Sequence, residues 1–156
     1  MNPAHIHLLV NHLPIVGFAI GVVLLLATMV RRGERGLFLA SMIVIVISGA
    51  GGLAAQLTGE PAEEIVEGLP DVPESLIGKH EDAGKIATII ASITTVLGIV
   101  ISFIVFRREG KIPMIAVAIL FVATAATSAA MAWTGATGGK IRHSEIREGA
   151  VTRYSD

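Results

Sequence analysis

Cysteine is absent from the 156 residues, and that absence closes several routes at once. Without it there is no disulfide, no thiolate ligand for a soft metal, no iron–sulfur cluster and no covalently attached c-type haem. Charge is also scarce: Asp, Glu, Lys and Arg make up 16% of the residues against 53% hydrophobic. A water-soluble domain of this length needs a far more polar surface. Aromatic residues amount to 4%, and no basic patch is interleaved with them, which argues against nucleic acid as a partner. No phosphate-binding glycine loop and no Ser/His/Asp order stands out. The N-terminus lacks the basic stretch and small-residue cleavage site of a signal peptide, so the first apolar run is expected to be retained.

What is present is apolar sequence of bilayer length. A helix needs roughly 20 apolar residues to cross the hydrocarbon core. Four runs meet that length, near Leu8–Val30, Leu37–Leu57, Ile86–Phe106 and Ile112–Thr134. They predict an all-α fold, a four-helix transmembrane bundle of two helical hairpins, with residues 1–156 forming one membrane domain. Residues 58–81 read as an extramembrane acidic loop and 138–156 as an extramembrane tail. Small residues recur at helix-packing spacing in Ser48-Gly-Ala-Gly-Gly-Leu-Ala-Ala55, along Ala83, Ala87 and Ala91, and at Ala125/Ala129 and Ala126/Ala130. The same spacing would suit a homodimer or a partner within a membrane complex.

The two short turns, Arg31–Arg35 and Arg107–Lys111, hold six cations and two anions; the opposite side holds six cations and eleven anions spread over longer stretches. Concentrated Arg and Lys in short loops mark the cytoplasmic side. The expected location is a multi-pass protein of the inner membrane, with both termini and the acidic loop on the periplasmic side. The landmarks also repeat. His5 to Arg31 and His80 to Arg107 are nearly equal intervals, as are Arg31 to Thr58-Gly59 and Arg107 to Thr134-Gly135. They suggest a parallel duplication in which His5 and His80 are counterparts.

All five histidines fall on the outer side in this topology, three of them in the first turns of the first helix. Ionisable groups at a helix end entering lipid are costly and tend to be functional. His5 and His12 lie two turns apart on one face, and His7 points elsewhere. Pro14 should kink the helix beside His12 by removing the bond to the Val10 carbonyl. The outer segments together offer His5, His7, His12, Glu60, Glu63, Glu64, His80, Glu81, Asp82, His143 and Glu145. Histidine with carboxylate is the ligand mix of zinc, non-haem iron or copper. The predicted metal ligands are His12, Glu60, Glu64, His80, His143 and His5. A b-type haem is the alternative cofactor, held by His12 together with His80 or His143. A non-catalytic accessory or scaffold subunit, with these side chains as partner contacts, is the other class; whether the protein is an enzyme stays open.

The blocks His7-Leu-Leu-Val-Asn-His-Leu-Pro14, Thr58-Gly-Glu-Pro-Ala-Glu-Glu64, His80-Glu-Asp-Ala83 and Gly138-Gly-Lys-Ile-Arg-His-Ser-Glu145 together resemble a family of uncharacterised bacterial four-span membrane proteins. The resemblance covers nearly the whole chain. It implies the four-span fold and no particular activity.

Overall fold

The structure, a computed structural model, describes residues 2–70, 72–107 and 112–147. Most of the second cationic turn and the tail beyond Arg147 lie outside the described residues. Among the described residues there are five α-helices, one short 3-10 turn and no strand. Helix α1 (Pro3–Val10) and α2 (His12–Val30) together make the first crossing, followed by α3 (Arg35–Val66), α4 (Glu74–Arg107) and α5 (Met114–Arg142). Four helical stretches are long and apolar enough to cross a membrane, with mean hydropathy of 2.1 to 2.6 over their most apolar windows. The chain is an all-α, multi-pass integral membrane protein built as a four-helix bundle.

Local chemistry sets the helix ends. The Asn2 side chain accepts the backbone N–H of His5 at 2.9 Å, and Pro3 stands where its missing N–H costs nothing. The first crossing is interrupted at Asn11, in the turn that Pro14 leaves short of a donor. Asn11 keeps helical dihedrals, so α1 and α2 follow one another with little change of course. At the far end, Gly33 N–H returns to the Thr28 carbonyl at 2.8 Å and Arg32 N–H to Met29 at 3.0 Å. This closure puts Arg32 in the left-handed region at φ 51°, followed by Gly33 at φ 80°. Glu34 then starts α3 by accepting the N–H groups of both Gly36 and Leu37 at 2.8 Å.

In cross-section α2, α3, α4 and α5 form a ring in which each touches its two neighbours, while α1 lies against α3. The interior holds Phe18, Leu25, Phe38, Ile45, Val117 and Leu120, all with no exposed surface. The outside is apolar as well: Val23, Ile93, Ile115 and Val122 are each more than 60% exposed. Such a surface matches lipid rather than water. Some buried hydroxyls return to their own helices, as Thr28 does to the Leu24 carbonyl and Ser48 to Val44; Thr94 and Thr127 bridge α4 and α5 at 2.8 Å, while Thr124 Oγ1 is buried without a hydrogen-bond partner among the described residues.

Two expectations need correction. The acidic stretch 58–81 is not a long loop. Helix α3 runs through Pro61 to Val66 and α4 begins at Glu74, leaving only 67–73 outside helices. Apolar run length marks depth in lipid, but the inward stripe of Ala55, Thr58, Gly59, Ala62 and Val66 continues helical periodicity beyond it. The repeat reappears in the spacing of the buried positions, with a different register. A shift of 73 positions carries the buried residues Pro14, Phe18, Gly21 and Leu25 of α2 onto the buried Ala87, Ala91, Thr94 and Gly98 of α4. A shift of 79 carries Phe38, Ser41, Ile45, Ser48 and Gly52 of α3 onto Val117, Leu120, Thr124, Thr127 and Met131 of α5. The counterpart of His80 is therefore His7, not His5, and that of Thr58 is Thr137, not Thr134. Several buried counterparts trade size: Phe18 for Ala91, Leu25 for Gly98, Gly52 for Met131. A side chain built on Gly52 would meet the Met131 methyl at 3.6 Å, so one half fills what the other leaves.

The Glu34 cap gives a pH prediction. Its two backbone donors hold the carboxyl below the ordinary carboxylate range. A depressed folded-state pKa contributes stability above the ordinary value and loses it as pH falls through the folded value. Melting temperature in detergent should fall in the acid range, and Glu34→Gln should lack that component of the fall; identical pH profiles for the two proteins would contradict the cap.

Candidate metal centre

One mouth of the bundle is built by the N-terminal ends of α1 and α4 and the C-terminal ends of α3 and α5. His7 lies on the inward stripe of the first crossing, in register with Asn11, Pro14, Gly17 and Gly21. His80 lies on the inward stripe of α4, above Ala83, Ala87 and Ala91. Both are half-buried, and their rings meet in a T-shaped contact at the mouth, with centroids 6.4 Å apart and planes crossing at 84°.

Each ring is held in the same way. His7 Nδ1 lies 3.1 Å from the Ala55 carbonyl oxygen and 3.2 Å from Thr58 Oγ1. His80 Nδ1 lies 3.1 Å from the Thr134 carbonyl oxygen and 3.3 Å from Thr137 Oγ1. A carbonyl oxygen can only accept, so each Nδ1 carries the hydrogen. The threonines lead to the same assignment. Thr58 donates its own hydrogen to the Ala54 or Ala55 carbonyl and Thr137 to the Thr134 carbonyl, leaving their lone pairs to accept from the imidazole. In the neutral ring the remaining nitrogen, Nε2, then has a free lone pair. A fixed Nδ1–H with an open Nε2 is the form in which histidine binds metals.

Glycine makes this arrangement possible on both sides. Gly59 follows Thr58, and Gly138 follows Thr137. A Cβ at Gly138 would fall 2.8 to 3.3 Å from three atoms of the His80 ring. A Cβ at Gly59 would meet His7 Cε1 at 3.8 Å, an ordinary contact. The backbone of α5 thus presses against its histidine more tightly than that of α3 does. One turn below His7, the Asn11 Oδ1 is buried with no hydrogen-bond partner among the described residues.

Of the six predicted ligands, only His80 belongs to this pair. His5 is exposed near the start of α1. His12 is exposed, with Nδ1 2.8 Å from the Leu8 carbonyl of its own helix. Glu60 and Glu64 point outward from α3. His143 ends α5 and pairs with Glu145 at 2.8 Å, with both side chains about two-thirds exposed. That contact and the Glu145 backbone N–H hold the Glu145 carboxyl below its ordinary range, the backbone bond being the larger cause. Glu81 is engaged with Lys85 at 2.7 Å on the surface. Among the described residues no group of three or more His, Asp or Glu side chains gathers to hold a metal. The residue that sequence reasoning passed over is His7. Weight was given to His5 and His12 for sharing a face, whereas the face that matters is the one bearing Pro14, Gly17 and Gly21. Small residues in a spanning helix mark its packed side, and His7 continues that side toward the mouth.

No family model, curated protein or solved structure matches the chain.

Histidine nitrogen resonances test this geometry. In neutral detergent solution both His7 and His80 should show protonated Nδ1 and unprotonated Nε2. Gly138→Ala should shift the His80 signals strongly, while Gly59→Ala leaves those of His7 nearly unchanged. Protonated Nε2 at either ring, or equal responses to the two substitutions, would contradict the arrangement.

Proposed function

We propose that this membrane protein holds a transition-metal centre at the outer mouth of its bundle, with His7 and His80 as the protein ligands. The observation that carries the reading is the matched pair of imidazoles, each with Nδ1 committed to a backbone carbonyl and a threonine. Orienting both rings in this way leaves one open nitrogen donor on each of two rings whose centroids are 6.4 Å apart. The described residues place no carboxylate in hydrogen-bond contact with either ring, and the two threonines there accept from the imidazole and give their own hydrogens to backbone carbonyls. The site therefore suits holding an ion, and electron transfer through it, better than hydrolysis. A b-type haem is the second reading, because axial ligation of haem iron also uses two histidines from facing helices.

The direction of the mouth follows from charge. Arg31, Arg32, Arg35 and Arg107 stand at the end of the bundle away from the histidines, which favours a cytoplasmic position for that end. The mouth then opens to the periplasm of an inner membrane, where an ion is reached without crossing the bilayer. Ligands drawn from separate helices converge only in the folded protein, so a bound ion also stabilises it.

Element analysis with an optical spectrum of detergent-purified protein should find bound metal. His7→Ala and His80→Ala should each lose most of it and melt at lower temperature, while His12→Ala and His143→Ala keep it. Protein purified without chelator that contains neither metal nor haem, and takes up none, would favour the scaffold reading. The absence of native cysteine allows a direct orientation test. A membrane-impermeant maleimide added outside intact cells or spheroplasts should label Ser75→Cys and spare Glu34→Cys; the reverse pattern would invert the topology.

A further inference from the structure

The metal reading leaves the ion and its coordination open, and the geometry of the pair narrows both. Two imidazoles bound to one ion on opposite sides, with bonds of roughly 2.0–2.1 Å, place their ring centroids about 6–6.5 Å apart. The same bonds at a tetrahedral angle would bring the centroids to about 5–5.5 Å. Two rings sharing a proton through a hydrogen bond of about 3 Å would stand roughly 5 Å apart. The separation here is 6.4 Å. It equals the separation that an ion between opposed nitrogens would set, and it exceeds what tetrahedral zinc or a shared proton requires. The near-perpendicular rings, at 84°, keep their C–H edges clear of one another in such an arrangement.

Charge points the same way. Both donors are neutral, and the described residues hold no cluster of three or more ligating side chains that would bring a carboxylate to the ion. The energetic cost of taking an ion out of water grows with the square of its charge, so an uncompensated divalent cation is about four times as costly here as a monovalent one. Space adds a third restriction. The α3 and α5 backbones already lie against the rings at Gly59 and Gly138. A porphyrin placed between the rings would have to part those helices, which a single ion need not do.

Resting on the metal reading, we infer that His7 and His80 bind a single monovalent copper ion in a two-coordinate, near-linear arrangement through their Nε2 atoms. Imidazole is a good copper ligand, and the reduced ion needs neither a third donor nor a counter-charge from the protein. His12, exposed and turned onto its own helix, takes no part.

The test is an anaerobic titration of the full chain in detergent with Cu(I), Ag(I), Zn(II) and hemin, each alone. Occupancy is read by competition with a chromogenic chelator and coordination by X-ray absorption. The expected result is one Cu(I) or one Ag(I) per chain, with two nitrogen neighbours at the copper and no third ligand. His7→Ala and His80→Ala should each weaken Cu(I) binding by more than about tenfold, and His12→Ala should leave it unchanged. Gly138→Ala, which keeps both ligands but displaces the His80 ring, should weaken it as well; this covers the case in which a histidine variant fails to fold. Preferential Zn(II) uptake, a haem spectrum dependent on both histidines, or three or more neighbours at copper would overturn the inference and leave the metal reading standing. Failure to bind any of the four would overturn both.

Discussion

Inside a bilayer, burying apolar side chains gives no advantage to one helix meeting another, because lipid is as apolar as the neighbour. Association rests on shape instead. The helices here come together at positions where one has almost no side chain. Gly17 lies against Ser48, Gly49 against Thr95, and Gly51 against Leu13, each so close that an added methyl would collide. Of the hydroxyls at these contacts, that of Thr95 is buried without a hydrogen-bond partner among the described residues. Ser48 bonds back to the Val44 carbonyl, and Thr94 pairs with Thr127. Close approach between backbones is also what allows a carbonyl of α3 or α5 to reach an imidazole on α1 or α4.

The two hairpins bring the same set of contacts to the mouth. In each hairpin a histidine near the start of the entering helix meets a carbonyl, a threonine three residues later and a glycine next to it on the returning helix. Away from the mouth the halves have diverged in a complementary way. Phe18 corresponds in register to Ala91 and Leu25 to Gly98, and the space beside Gly98 is taken by Met42, Leu120 and Ile45. The mouth repeats residue identities, whereas the core repeats the spacing of its buried positions.

Much of the fold was legible in the residues. Hydropathy located four crossings, and small-residue spacing located the packed stripe of α4. The extent of the helices was not legible from hydropathy, because α3 keeps its inward stripe through Ala62 and Val66 after leaving the apolar run. The candidate site was legible only in part. His80 was recognised, but His7 was outvoted by His5 and His12, two histidines on a face that turns out to carry Leu8 and Val16 to the outside. The carboxylates were the other distraction. Glu60, Glu64 and Glu81 are near the mouth in sequence, yet a helix presents only a narrow arc inward, and theirs faces away. Local sequence also could not show the carbonyls that fix the imidazoles, since Ala55 and Thr134 contribute backbone atoms that any residue would have.

The chain order of the two histidines has a consequence for biogenesis. His7 emerges from the ribosome first, and its own anchors follow with α3; His80 is anchored only when Thr134 and Thr137 arrive near the end of synthesis. Neither hairpin holds more than one of the two rings. The opposed pair is thus the last feature to be completed, and its presence reports that insertion has run to the fourth crossing and that the halves have met.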